Sequence, residues 1–329
     1  MSKVKFGLVL PNRGPLVGLF TPQELIGFAE AADSRFPAID SVWVGDSILA
    51  KPRFECNTLL AAVAARTKHV TLGPACFASF PLRQPLVTAL EWASIDVLSK
   101  GRTVWPVCLG GNPKSGGDFL TEYQAFGIAP SDRIGRLEEG IEVLKRVWTG
   151  DNVSFQGKHF SFENVTLEPK PVQKPHPPIW LVATPTRKMK PELVERMMSR
   201  VVRHAEGWMT TRVSPDDFSF GLERLRQIVD REGKDAESIE PSLFYNVLIN
   251  QDREAALQEA KQFLDTYYMT DFSREVVELW TALGSTEQCV ETIGQFLDAG
   301  VRTLIVRFPC KKQLEQLDLF VNQVIPHLI

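Results

Sequence analysis

The sequence predicts an α/β protein folded as a closed (β/α)8 barrel, a TIM barrel with insertion loops at the C-terminal face of its strands. Three observations carry this. Short apolar runs alternate with amphipathic helical stretches from one end of the chain to the other, which predicts a parallel sheet. Eight such units fit into 329 residues, an ordinary length for one barrel. No GxGxxG follows the first apolar run, which disfavours the runner-up, a doubly wound open sheet.

The elements follow in order. Val4–Leu10 is a β-type run closed by Pro11, and Thr21-Pro22 reads as an N-cap and first helical residue of a helix to about Arg35. Asp40–Gly45 is a buried strand, Cys56–Lys68 an Ala/Leu-rich helix and Val70–Cys76 the next strand. Pro85–Leu98 is helical and Thr103–Leu109 extended. Within Ser131–Thr149, residues Ile134, Leu137, Ile141, Leu144 and Val147 recur at helical spacing. Pro178–Ala183, Gly207–Thr210, Leu243–Asn250 and Thr303–Arg307 supply the remaining strands. The helices among them are Pro191–His204, Pro215–Arg231, Arg253–Tyr267 and Thr286–Ala299, and Lys312–Ile325 closes the chain before Pro326.

One domain, 1–329, is expected, with insertions at about 151–177 and 269–285. The first contains VSFQGKHFSF, a hairpin with its turn near Gln156-Gly157. The second, Met269–Ser285, has little regular pattern and reads as a lid.

Composition removes several function classes. A net charge of −3 offers no basic field for nucleic acid or an anionic membrane. No apolar run approaches the roughly 18 residues of a spanning helix, and the opening run before Pro11 reads as a strand rather than a signal peptide. The five cysteines are odd in number and form no C-x-x-C pair, which predicts reduced thiols and a cytoplasmic location.

Strand C-termini surround the active site of such a barrel. Here they present Asn12, Arg13, Asp46, Ser47, Cys76, Cys108, Thr184, Thr186, Thr210, Asn250 and Arg307. One clear carboxylate disfavours glycosidase chemistry. The five histidines are dispersed, so no metal ligand is assigned. No esterase elbow or phosphate-binding P-loop occurs. A mouth of amides, hydroxyls and thiols, with few acid–base groups, fits chemistry supplied by a cofactor. Each candidate also has a plainer reading. Asp46 caps its turn or touches a cofactor ring. Cys108 is a small core hydrophobe or a site residue. Gly110-Gly111 and Gly116-Gly117 are a pliant loop or a close approach to a ligand. Thr184, Thr186, Arg187 and Lys188 are a solvated turn or an anion site before a helix. Trp43 and Trp105 read as core.

The chain resembles the bacterial-luciferase-like superfamily of flavin-dependent monooxygenases and coenzyme F420-dependent oxidoreductases. The resemblance rests on SVWVGDS at Ser41–Ser47, LAAVAARTKHVTLGPAC at Leu60–Cys76 and PLRQPLVTALEWASIDVLSKGR at Pro81–Arg102. It continues through DRIGRLEEGIEVLKRVWTG at Asp132–Gly150, KPVQKPHPPIWL at Lys170–Leu181, HAEGWM at His204–Met209, GSTEQCVETI at Gly284–Ile293 and AGVRTLIVRF at Ala299–Phe308.

The resemblance implies a flavin or deazaflavin at the strand C-termini, with a non-proline cis peptide at Ala75-Cys76 behind its ring. It implies Asp46, Ser47 and Cys108 as catalytic positions, Ser47 standing where many deazaflavin members have histidine. Cys108 falls where luciferase has a reactive thiol. The cofactor would be held by Asp46, Ala75, Cys76, Cys108, Gly110, Gly111, Thr184, Thr186, Arg187 and Lys188. Arg187 or Lys188 would replace the arginine that luciferase carries at the position of Leu109.

The expected function is a reduced-FMN-dependent monooxygenase that oxidises a small organic substrate with O2, supplied with FMN by a separate flavin reductase. The alternative is a coenzyme F420-dependent reductase or dehydrogenase transferring hydride, which Asp46 favours. A third reading is a non-catalytic flavin-binding barrel. The resemblance also implies a homodimer formed through helices near the second and third strands, although Leu59, Leu60 and Val63 equally suit barrel core.

Overall fold

The structure, a computed structural model, describes residues 4–111 and 116–329. Strand β1 (Lys5–Leu10) leads into α1 (Pro22–Arg35), β2 (Ser41–Val44) into α2 (Cys56–Arg66), and β3 (Thr71–Pro74) into α3 (Pro85–Ser99). After β4 (Trp105–Val107) come α4 (Phe119–Ala125) and α5 (Arg133–Thr149), then the hairpin β5 (Val153–Gln156) and β6 (Ser161–Val165). The pairs β7 (Ile179–Val182) with α6 (Pro191–His204) and β8 (Gly207–Thr211) with α7 (Pro215–Arg231) follow. The chain ends with β9 (Glu240–Ile249), α8 (Arg253–Tyr268), α9 (Arg274–Leu279), β10 (Thr281–Gly284), α10 (Thr286–Asp298), β11 (Thr303–Arg307) and α11 (Gln313–Leu319).

The eight predicted strands are all present and parallel, in the order β3-β2-β1-β11-β9-β8-β7-β4. The ring closes between β3 and β4 through Val104 N–H to Leu72 C=O (2.9 Å) and Phe77 N–H to Pro106 C=O (2.8 Å). Closure leaves the ring no free strand edge. Local chemistry agrees with this layout. Thr21 and Glu24 form a capping box over α1, with Pro22 in its first turn. Trp43, Trp105, Trp148 and Trp208 are fully buried. Each ring removes on the order of 200 Å² from water, about 4–5 kcal/mol as an upper bound.

The N-terminal half of the barrel interior is built on two indoles. Trp43 and Trp180 lie 5.5 Å apart. A Cβ on Gly73 would sit 2.6 Å from Trp43, and one on Gly207 2.3 Å from Trp180. Only glycine lets the rings lie so close to the strands. The rings roof a cavity of about 370 Å³ that opens at the N-terminal face and is lined by Ser41, Thr71, Glu206 and Glu240.

Three expectations change. Residues 269–285 are regular: α9 packs Val277 inward, and β10 adds to the C-terminal half of β9 from Thr281 opposite Asn246 to Gly284 opposite Ile249. Trp280 between them is buried, so the segment is part of the barrel wall and not a lid. Its helix and strand are each too short to display a period, and it is their neighbours that make them regular. Helix α4 also escaped the sequence reading; seven residues give fewer than two full turns of pattern. The closing helix is α-helical only to Leu319, then widens to a π-turn at Phe320–Val324 and tightens at Ile325–His327 around Pro326. The hairpin at 151–177 is as expected, its turn at 157–160 held by the Glu139 carboxylate, which accepts from the N–H groups of Lys158, His159 and Phe160.

Candidate active site

Asp46 leaves β2 and turns inward. Its Oδ2 accepts the Ser79 N–H at 2.6 Å, and the Arg83 guanidinium lies 3.6 Å from Oδ1. Burial pushes the carboxyl above its ordinary range, and Arg83 opposes that shift. Arg83 also reaches Ser79 Oγ (2.8 Å) and Glu55 (2.8 Å) and lies 4.7 Å over Phe77. Asp46 thus ties the end of β2 to the segment after β3. Its turn-forming role is present whatever else it touches.

The Ala75-Cys76 peptide is cis, as the resemblance implies. Beyond it, Phe77 pairs with Val107 as a short continuation of the β3–β4 contact. That sets Cys76 and Cys108 on neighbouring strand ends. Both are half-buried, whereas Cys56, Cys289 and Cys310 are buried. The Cys76 thiol is pushed well up, first by the neighbouring Cys108 and then by burial.

Ser47 serves the loop rather than the open mouth. Its Oγ accepts the Lys51 N–H (2.9 Å) and donates to Glu122 Oε2 (3.3 Å). Glu122, from α4, also accepts from Leu49 N–H (2.6 Å) and Ala50 N–H. One buried carboxylate therefore fixes residues 47–50. Asn12 completes the anchor by donating to Gly45 C=O (2.8 Å) and Phe54 C=O (2.9 Å).

This loop carries what sequence reasoning missed. Lys51 is 5% exposed, its Nζ 4.8 Å over Phe119 and 4.7 Å over Tyr268. Burial, with Arg53, Arg212 and Arg307 nearby, lowers its pKa to about 7, and Cys108 is close enough to oppose that shift. Arg307, at the end of β11, is 1% exposed. Its Nε donates to Asn246 Oδ1 (3.0 Å) and its Nη1 to the Tyr268 hydroxyl (2.8 Å). Its Nη2 is buried without a partner. Phe244, Tyr267, Tyr268 and Trp280 surround this guanidinium, each ring centre 5.1 Å away. Arg212, just past β8, covers the same Trp280 at 5.1 Å. Arg13 donates to Pro52 C=O (2.6 Å) while its Nε stays buried and unpartnered. Among the described residues, no carboxylate lies within ion-pair distance of Arg13, Arg53 or Arg307. The mouth is cationic and aromatic, which corrects the expectation of amides, hydroxyls and thiols. The signals in the sequence were Arg13 and Arg307 at strand ends; Lys51 and Arg212 sit beyond the strands.

The second predicted group stands apart, on the loop after β7. Thr184 and Thr186 are half-buried and Lys188 is exposed. Arg187 is engaged elsewhere, with Asp216 at 3.0 Å and Asp217 at 3.3 Å. Gly110 has φ +78°, where glycine is favoured. A Cβ on Gly111 would meet Phe119 at 2.3 Å, so helix packing already accounts for that glycine. Gly116 and Gly117 likewise abut the backbone at Tyr268 and Ala50, and the stretch before them, 112–115, lies outside the described residues. Among the described residues no group of three His, Cys, Asp or Glu side chains gathers as a metal site would require.

Known proteins share this architecture. An F420-dependent glucose-6-phosphate dehydrogenase of Nakamurella multipartita is 26% identical across 94% of this chain and 93% of its own length. A monooxygenase from Streptomyces bottropensis superposes over 99% of this chain and 100% of its own, with a TM-score of 0.80 and 21% identity. An F420-dependent secondary alcohol dehydrogenase, bound to an F420–acetone adduct, superposes over 99% of both chains with a TM-score of 0.83 and 15% identity. At those identities the two structures speak for the fold alone. The profile described as luciferase-like monooxygenase matches residues 4–303. Matched through β11's first residue, with the barrel and its cis peptide in place, this chain belongs to the luciferase-like family of oxidoreductases.

Proposed function

We propose that this oxidoreductase transfers hydride between coenzyme F420 and a small anionic substrate. The observation that carries the reading is the buried cation at the end of β11. Arg307 has a buried Nη2 without a partner and no carboxylate at ion-pair distance. A buried charge left uncompensated is costly, and an anionic ligand would relieve it. Lys51 and Arg212 share the same aromatic surroundings. The similarity to F420-dependent dehydrogenases supports the cofactor choice.

The residues fit such a cofactor. Asp46, Cys76 and Cys108 form a compact polar wall at the ends of β2, β3 and β4, and Thr184, Thr186 and Lys188 offer donors on the β7 loop. The deazaflavin, when bound, supplies the carbon that takes or gives hydride. Arg307 would orient the anionic end of the substrate. Lys51, with a pKa of about 7, would take or return the substrate's hydroxyl proton, the task for which Ser47 lacks a titratable group. Phe119, Tyr267, Tyr268 and Trp280 would exclude water around both cations.

A second reading, the reduced-FMN monooxygenase, keeps support from the half-buried thiol at Cys108 and its match to the luciferase thiol. Parallel anaerobic titration with reduced FMN and with coenzyme F420 separates the two. Tight binding of F420 alone is expected; tight binding of FMN alone overturns the hydride reading.

A homodimer through α3 accords with its exposed stripe of Val87, Leu90, Val97 and Leu98. Leu59, Leu60 and Val63 are core, so they do not contribute to it. Sedimentation should show a dimer that Leu98→Glu weakens; a monomeric parent would remove the proposal. The five unpaired cysteines support a reducing, cytoplasmic location. No helix among the described residues is long and apolar enough to cross a membrane.

A further inference from the structure

The place of Lys51 is set from another element, the helix α4. Glu122 of that helix is 1% exposed, and its Oε2 alone accepts three donors: the N–H groups of Leu49 (2.6 Å) and Ala50 and the Ser47 hydroxyl (3.3 Å). The same hydroxyl accepts the Lys51 N–H at 2.9 Å, so two hydrogen bonds in series join Glu122 to the Lys51 backbone. In the other direction, Asp118 N–H donates to Ala50 C=O at 3.0 Å. A Cβ on Gly117 would lie 2.5 Å from Ala50 C=O and 2.5 Å from Lys51 Cγ, so the approach to α4 runs directly against the loop. The Tyr123 hydroxyl donates to Leu109 C=O (3.1 Å) and ties α4 to the end of β4. A helix of this length is not stable alone, so α4 and the loop hold each other. Phe119 opens α4 and Tyr268 ends α8, and the Lys51 ammonium lies within 4.8 Å of both ring centres.

We propose that Glu122 is a positioning residue for Lys51: its carboxylate docks the loop after β2 onto α4 and thereby keeps the ammonium against the rings of Phe119 and Tyr268. Without that carboxylate the N–H groups of Leu49 and Ala50 turn to water, the loop leaves α4, and the ammonium is hydrated. Burial holds Lys51 at about 7, and hydration returns it toward 10.5. The other groups that face the ammonium stay where they are: Arg53 on its own loop, Arg212 after β8, Arg307 on β11, Cys108 after β4 and Tyr268 on α8. A carboxylate acting through its charge alone has the opposite sign, since removing a negative charge lowers the pKa of a nearby ammonium. Only the proton-transfer role of Lys51 rests on the function proposed above; its placement does not.

The test labels the full chain, without cofactor, with trace acetic anhydride across a pH series, and peptide mapping compares Lys51 with the exposed Lys158. The parent should show a Lys51 midpoint near 7. Glu122→Ala should raise that midpoint by about one unit or more and speed labelling above it. Glu122→Gln retains an acceptor oxygen and should stay closer to the parent. Melting curves confirm that each variant is folded. An unchanged midpoint in folded Glu122→Ala, a fall in either variant, or an equal rise in both overturns the proposal, as does a parent midpoint near 10.5. If Glu122→Ala does not fold, Ser47→Ala decides, because it removes only the hydroxyl between Oε2 and the Lys51 N–H. Its midpoint should rise, and an unchanged one overturns the proposal. A parent with a midpoint near 7 that fails to bind coenzyme F420 defeats the proposed function, while the variants still decide the positioning.

Discussion

The two ends of the barrel differ in what lines them: one is a cavity under paired indoles, the other a cluster of buried cations among aromatic rings. The N-terminal end holds a cavity of about 370 Å³, and the carboxylates that line it are engaged. Asp40 accepts the Phe6 N–H at 2.8 Å, Glu206 the Ile179 N–H at 2.8 Å, and Glu240 the Thr303 hydroxyl at 2.7 Å. The C-terminal mouth leaves Arg13 Nε, Arg307 Nη2 and Thr210 Oγ1 buried without partners. Native structures rarely leave such groups bare. Empty volume at one end reflects packing of Trp43 against Trp180, whereas the bare cationic nitrogens at the other are what the proposed anionic ligand would satisfy.

Substitutions at the mouth should alter chemistry and those at the base stability. The largest effect is expected from Lys51→Met. If Lys51 moves the substrate proton, kcat falls on the order of 10²-fold or more. The same variant tests stability against pH. The folded pKa of Lys51 is about 7, below its ordinary 10.5. Between those values the unfolded chain binds more protons, so the folded state gains stability as pH rises through that window. Lys51→Met should flatten that rise in thermal melts; a parent protein whose stability falls from pH 7 to 10 would contradict it. Arg307→Met comes next. It should raise KM for the anionic substrate about 10- to 100-fold, as loss of a charge-assisted hydrogen bond implies, while cofactor affinity stays unchanged. A selective loss of affinity for FMN over riboflavin would show instead that Arg307 holds the cofactor phosphate.

At the base, Gly207→Ala sets a methyl 2.3 Å from Trp180. It should cost about 1–3 kcal/mol of stability by overpacking, read from denaturant unfolding, with KM unaltered. Altered KM with unaltered stability would erase the distinction between the ends. The smallest effect is expected from Arg187→Ala, since that guanidinium already faces Asp216 and Asp217. Cofactor affinity should change less than twofold; a tenfold loss would return Arg187 to the phosphate site.

All eight barrel strands were legible because each is a short apolar run between turn signals, and burial on both faces leaves that pattern intact. Asp46, Cys76 and Cys108 were legible as strand-end residues, and their adjacency follows from the order of β2, β3 and β4. Residues 269–285 were not, since α9 is short and β10 takes its form from pairing with β9. The pairing of Arg187 with Asp217 was not legible, because a neighbouring sequence cannot display a contact made with α7.

By itself the sequence determined the barrel, through periodicity and local capping, which are properties of a few consecutive residues. Only the tertiary structure decided the charge of the mouth. Arg13, Lys51, Arg212 and Arg307 lie far apart in the chain; Arg13 and Arg307 read as strand-end residues, but Lys51 and Arg212 each read as an ordinary surface cation. Closing the barrel withdraws them from water around shared aromatic rings, and that loss of solvent turns scattered charges into one site.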